Sequence, residues 1–176
     1  MIESIIHSLL MTAGWQPDTT IDPEPWLYEL RQQQYPIFPQ LIEILSRYGG
    51  FRLNSLDIAQ PWTLDASLEA LFVWTDSPLE IQLLPQLAPA FSEATFWRSH
   101  AYVQLRNLQI APIGRLSCPN RGVSSLFVLS NGQIMHNSTS NYYHPKGLSL
   151  LGESLPLAMQ RLLQSFLLIQ AIEENL

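Results

Sequence analysis

The segment Ser125-Leu126-Phe127-Val128-Leu129-Ser130-Asn131-Gly132-Gln133-Ile134-Met135-His136 decides how the rest of the chain is read. Two apolar runs flank Ser130-Asn131-Gly132. Asn-Gly between such runs is the strongest short hairpin cue, because both residues tolerate a positive φ. An antiparallel pair is therefore expected here. Moving toward the C-terminus, a second strand-like piece surrounds Tyr142 and Tyr143. Ser154 is placed to cap a long helix through about Glu173, with Leu155, Met159, Leu162, Leu163, Phe166, Leu167 and Ile169 on its buried face.

Moving toward the N-terminus, Ser92-Glu93 is expected to cap a helix running to about Asn107. Pro78, Pro85 and Pro89 leave the stretch between Ser77 and Ala90 without a readable period. Leu68, Ala70, Phe72 and Trp74 alternate as one sheet face would, and Trp62-Thr63-Leu64 and Phe51-Arg52-Leu53 read as strands. Before Phe51 the period is helical. Pro39 opens a helix with Leu41, Ile42, Leu45 and Tyr48 as its apolar stripe, and Gly49-Gly50 ends it. Asp22-Pro23-Glu24-Pro25 reads as another helix start, with Trp26, Leu27 and Leu30 inward and a break at Tyr35-Pro36. Ile2, Ile5, Ile6, Leu9, Leu10 and Ala13 share one face of a first helix that Gly14 ends. Helices, then strands with one helix inserted, then a helix make an α+β chain. The expectation is a single domain over residues 1–176, a mostly antiparallel central β-sheet flanked by N-terminal and C-terminal helices.

Composition agrees with one folded domain. The chain has 176 residues, 47% of them apolar, which is enough for one core. The opening Met1-Ile2-Glu3-Ser4 lacks the basic start of a signal peptide, and no run reaches the roughly 18 apolar residues of a membrane span. Cys118 is the only cysteine, so no intrachain disulfide forms. A reducing, cytoplasmic setting is expected.

Charge is distributed unevenly. Residues 1–88 carry eleven acids against three bases, and residues 89–176 carry four against six, within a total of −6. A basic face for phosphates is missing, so direct nucleic-acid binding is not expected. An acidic half suits a basic partner, although mild acidity also serves solubility.

Catalytic and metal constellations are sparse. His7, His100, His136 and His144 are scattered, with no metal-ligand spacing among them. Cys118 stands in Ser117-Cys118-Pro119-Asn120-Arg121-Gly122, which reads as a loop between strands. A small enzyme on Cys118, His136 and His144 rests only on their rough clustering in sequence. No glycine-rich phosphate loop and no carboxylate pairing motif occurs. A non-enzyme that needs no cofactor and binds another protein is expected.

Five pieces together resemble the SUKH superfamily of bacterial toxin-immunity proteins, in particular its third family. They are Ala13-Gly14-Trp15-Gln16-Pro17; Ile44-Leu45-Ser46-Arg47-Tyr48-Gly49-Gly50-Phe51; Ile110-Ala111-Pro112-Ile113-Gly114; Asn131-Gly132-Gln133-Ile134; and Gly152-Glu153-Ser154-Leu155-Pro156-Leu157-Ala158. Their order and spacing over residues 13–163 carry the likeness more than any one of them. Met135 stands where an aromatic is usual, and Gln133 where a charge is typical. The resemblance implies a SUKH-like cytoplasmic immunity protein of a polymorphic toxin system. Its partner would be a cognate toxin domain, a nuclease or a nucleic-acid deaminase. The alternative is a regulatory protein-interaction module of the same fold with no toxin partner. Each matching piece also has a structural reading. Gly49-Gly50 turns a helix into a strand, Pro112-Ile113-Gly114 starts a strand, and Trp15 fills a corner. A basic toxin would be met by acids, so the candidate toxin-binding face is Asp18, Asp22, Glu24, Asp65, Glu69, Asp76 and Glu80.

Overall fold

A computed structural model describes residues 10–11, 14–54, 80–83, 97–118, 122–137 and 147–162. The architecture is α+β. Helix α1 spans Glu24–Gln32 and α2 spans Pro39–Tyr48. Strands β1 (Arg52–Asn54) and β2 (Glu80–Gln82) follow, then the short helix α3 (Ala101–Leu105). Strands β3 (Ile110–Cys118), β4 (Gly122–Leu129), β5 (Ile134–Asn137) and β6 (Leu148–Gly152) complete the sheet. Residues 155–162 form helix α4. Among the described residues the six strands lie in chain order, β1 to β6, and every pairing is antiparallel.

The sheet buries both faces. Ile81, Ala111, Leu116, Leu126, Val128 and Ile134 face a large cluster with Leu27 and Leu30 of α1, Leu41, Ile44 and Leu45 of α2, and Leu155, Ala158 and Met159 of α4. On the opposite face Ile110, Phe127, Leu129 and Met135 pack with Trp97 and Val103. Trp97 is fully buried, its ring 4.7 Å from that of Phe127. The alternation along β4 follows from the two-residue period of a strand.

The hairpin forms where expected, around Ser130-Asn131-Gly132. Gly132 N donates to Leu129 O at 2.8 Å, and Leu129 N donates to Gln133 O at 2.9 Å. Within the loop only Gly132 has a positive φ, +90°. The loop is thus three residues long with the left-handed residue last. Asn131 serves through its side chain, its Oδ1 accepting from Gln133 N at 3.2 Å.

Three chain reversals share one geometry. After Leu10–Met11, after α1 and after α3, the third residue from the last turn accepts from an apolar residue beyond the end. The bonds are Trp15 N to Leu10 O, Tyr35 N to Leu30 O and Leu108 N to Val103 O. Gly14, Gln34 and Asn107 sit at the left-handed position, with φ of +90°, +63° and +51°. These are Schellman ends with their customary apolar contact.

Several sequence expectations need correction. Ile42 is exposed and Ile44 takes its place on the inner face of α2. β2 lies in the stretch whose prolines hid any period. The helix expected to run to Asn107 breaks at His100, whose extended ψ of 133° lets its Nδ1 accept from Tyr102 N at 3.3 Å before α3 begins. Pro112-Ile113-Gly114 lies inside β3, not at its start, and carries a bulge between Pro112 and Gly114. Leu148–Gly152, which the sequence left unassigned up to Gly152, is a strand, and Ser154 caps α4 as expected, its Oγ accepting from Leu157 N at 3.5 Å. The expected strands at Trp62–Leu64 and Leu68–Thr75, the Tyr142–Tyr143 piece, most of the first helix and the rest of the last one lie outside the described residues.

Candidate functional site

Two of the motif-bearing segments meet in one corner. The chain leaves Gly14 with Trp15 turned back over α2. Trp15 stacks on Tyr48 at 5.5 Å and 5° between ring planes, and its indole Nε1 donates to Arg47 O at 3.0 Å. Thr19 N donates to Gln16 O at 3.2 Å, which folds the following turn, and Ile21 N donates to Ser46 O at 2.8 Å, which fastens that turn to α2. The last carbonyls of α2 are thereby used by the 14–21 segment instead of by water.

Gly49 and Gly50 then swing the chain into β1. Gly49 has no room for a Cβ, which would fall inside the Trp26 ring and against Leu45 O. Gly50 takes φ +77°, and its N–H donates to Leu83 O at 2.9 Å. Leu83 N donates back to Phe51 O at 2.9 Å, so the β1–β2 ladder begins at this turn.

Between the 14–21 segment and the 47–52 turn lies a half-open cleft of about 510 Å³. Trp15 and Tyr48 give it an aromatic side, Gln16 and Thr19 a neutral polar side, and Arg47 and Arg52 its charge. Arg47 pairs with Glu43 at 3.7 Å, both side chains being half exposed or more. Arg52 is exposed and makes no ion pair among the described residues. Burial pushes the Tyr48 phenol up from its usual value, with Arg47 working against that shift and Glu43 with it. The cleft is therefore lined by a neutral aromatic pair and by two arginines. Sequence reasoning assigned Trp15 and Gly49-Gly50 to fold-making, and they do make the fold. It missed that the corner they build is open and lined by arginine.

Of the candidate acidic face the structure describes Asp18, Asp22 and Glu24, and the backbone of Glu80. Asp18, Asp22 and Glu24 are exposed on the segment leading into α1. Asp22 Oδ1 accepts from Glu24 N at 3.0 Å, and Glu24 pairs with Arg31 across two turns of α1. The Arg31 guanidinium is held above its usual range mainly by its hydrogen bond to Glu24. Glu80 opens β2, in register with Asn54 and Ser117 on the sheet. Asp65, Glu69 and Asp76 lie outside the described residues.

Cys118 and His136 are not brought together. Cys118 ends β3 instead of sitting in the loop beyond it, opposite Gly122. His136 pairs with Leu126, which pairs with Gly114, four residues back along β3. That separation is about 13 Å along the strands and about 10 Å across two of them. His136 Nδ1 is buried with no hydrogen-bond partner among the described residues, and burial holds its imidazole below the usual value. His144 lies outside the described residues. Among the described residues no three His, Cys, Asp or Glu side chains converge as metal ligands, and no helix is long and apolar enough to cross a membrane.

Compared with protein-family models, with curated proteins and with solved structures, the chain matches none.

Proposed function

We propose that this chain is an immunity protein of the SUKH-like kind, which binds a cognate toxin domain and blocks it by contact. One observation carries the reading. The described parts of the first two resemblance segments, residues 14–17 and 44–51, are built into a single stacked corner that opens to the surface. The exposed acids Asp18, Asp22 and Glu24 continue from one wall of that corner. An aromatic cleft with an acidic margin suits a protein surface better than a small substrate, because rigid aromatics anchor interfaces and outlying charge speeds encounter. A basic nuclease or nucleic-acid deaminase is the partner that the acidic first half would draw in.

The test begins with the gene encoded next to this one. If that gene specifies a large secreted protein, its C-terminal domain is expressed with and without this chain. Co-expression should restore growth, and the two purified proteins should form a complex. Changing Asp18, Asp22 and Glu24 to Asn and Gln, and Asp65, Glu69, Asp76 and Glu80 likewise, should slow association at low salt and flatten its salt dependence. Growth that stays blocked with soluble protein present would end the immunity reading. Rates untouched by either set would remove the acidic face.

A further inference from the structure

The acidic first half accounts for attraction at a distance but not for the cleft, whose own charge is positive. Arg47 and Arg52 both line it, and among the described residues no carboxylate does. The pair Arg47 makes with Glu43 is long, at 3.7 Å, and exposed, so it is easily exchanged for a better acceptor. The backbone offers little competition. The N–H groups of Gly14, Trp15, Thr19, Ile21, Gly49, Gly50 and Phe51 are each already bonded to a carbonyl. A phosphate cradle needs several free N–H groups, and this wall has spent most of its own on turns and on the bond to Leu83. What remains to bind an anion is the pair of guanidinium forks, whose planar donors match a carboxylate. Beside them lies the flat Trp15–Tyr48 stack, which favours an apolar or aromatic neighbour of that carboxylate.

We infer that the cleft seats an acidic anchor of the protein partner, a Glu or Asp side chain next to an aromatic residue on one exposed loop. This rests on the protein-binding reading above. The carboxylate bridges Arg47 and Arg52, displacing Glu43, while the aromatic ring covers the Trp15–Tyr48 stack. The partner is thus basic over the surface that meets Asp18, Asp22 and Glu24, and acidic at one point. That alternation sets the orientation of docking as well as its strength.

The direct test uses the full chain and a short blocked peptide, acetyl-Glu-Tyr-Glu-amide, against its neutral counterpart, acetyl-Gln-Tyr-Gln-amide. Binding is followed by the Trp15 indole N–H and the arginine Nε–H signals in NMR spectra. The acidic peptide should shift these signals saturably. The neutral peptide, and the R47Q/R52Q chain, should bind on the order of tenfold more weakly. Retained amide dispersion in the double variant shows that it is folded, and R52K should rescue only part of the binding, since lysine lacks the fork. Equal shifts with both peptides, or no shift at the cleft, would overturn the anchor. The toxin domain separates this from the broader reading. A complex that forms as tightly with R47Q/R52Q as with the wild type rejects the anchor and leaves immunity standing. A cleft that takes the peptide in a chain that protects against no toxin rejects immunity and leaves the anchor.

Discussion

Two glycines side by side do unlike jobs. At Gly49 the constraint is space, since a methyl group would collide with Trp26, half-buried against the core, and with the Leu45 carbonyl. At Gly50 space is ample and the constraint is φ, +77°. Gly49→Ala should therefore cost roughly 1–3 kcal/mol through forced displacement, and Gly50→Ala about 1 kcal/mol through backbone strain. Urea unfolding of both variants checks the order, and equal costs would contradict it. His136 supplies a second residue-scale prediction. Its folded pKa lies below the ordinary value near 6.5, so between the two values the unfolded chain binds more protons. The stability this neutral imidazole supports is fully present above about pH 6.5 and declines as pH falls below it. His136→Leu should remove that part of the slope, read as the change in urea midpoint between pH 7.5 and 5.5. An unchanged slope would assign the acid sensitivity elsewhere.

The elements show where sequence reading succeeds and where it stops. Gln34 occupies a left-handed helix end that Gly14 occupies elsewhere, so Gln34→Gly should stabilise the chain by about 0.5–1 kcal/mol, visible as a higher melting temperature. Sequence marked Gly14 as a helix end because glycine announces that geometry. Gln34 announces nothing, and the break was credited to Pro36. Likewise β4 and β5 were legible, having eight and four residues with clean apolar patterns around an Asn-Gly signal. β1 and β2 have three residues each. Arg52 was legible because it follows the glycine turn, whereas β2 was hidden among prolines. Its place in the sheet depends on Gly114, because a Cβ there would strike the Gln82 carbonyl. Gly114→Ala should prise β2 from β3. Hydrogen exchange should then quicken at the β2 amides, with the β4–β5 hairpin keeping its protection. Loss of protection across the whole sheet would show instead that the six strands open together. The cleft was illegible for a related reason. Trp15 and Arg52 are far apart in sequence, and the Trp15–Arg47 bond, the Trp15–Tyr48 stack and the Ile21–Ser46 bond bring them to one rim.

At the scale of the molecule, the six strands stand in space in the order in which they are joined in the chain. A sheet of this kind can be laid down during synthesis, each new strand docking on the one that left the ribosome before it. Helix α2 does not share that convenience. Its inner residues Leu41, Ile44 and Leu45 pack on β3 and β4, and β4 ends only at Leu129. At roughly 5–20 residues per second, the 81 residues from Tyr48 to Leu129 take roughly 4–16 s to emerge. For that interval the leucine face of α2 lacks its sheet partners, and a ten-residue segment is marginal as a helix without them, so it leaves the ribosome as the kind of apolar surface a nascent-chain holdase retains.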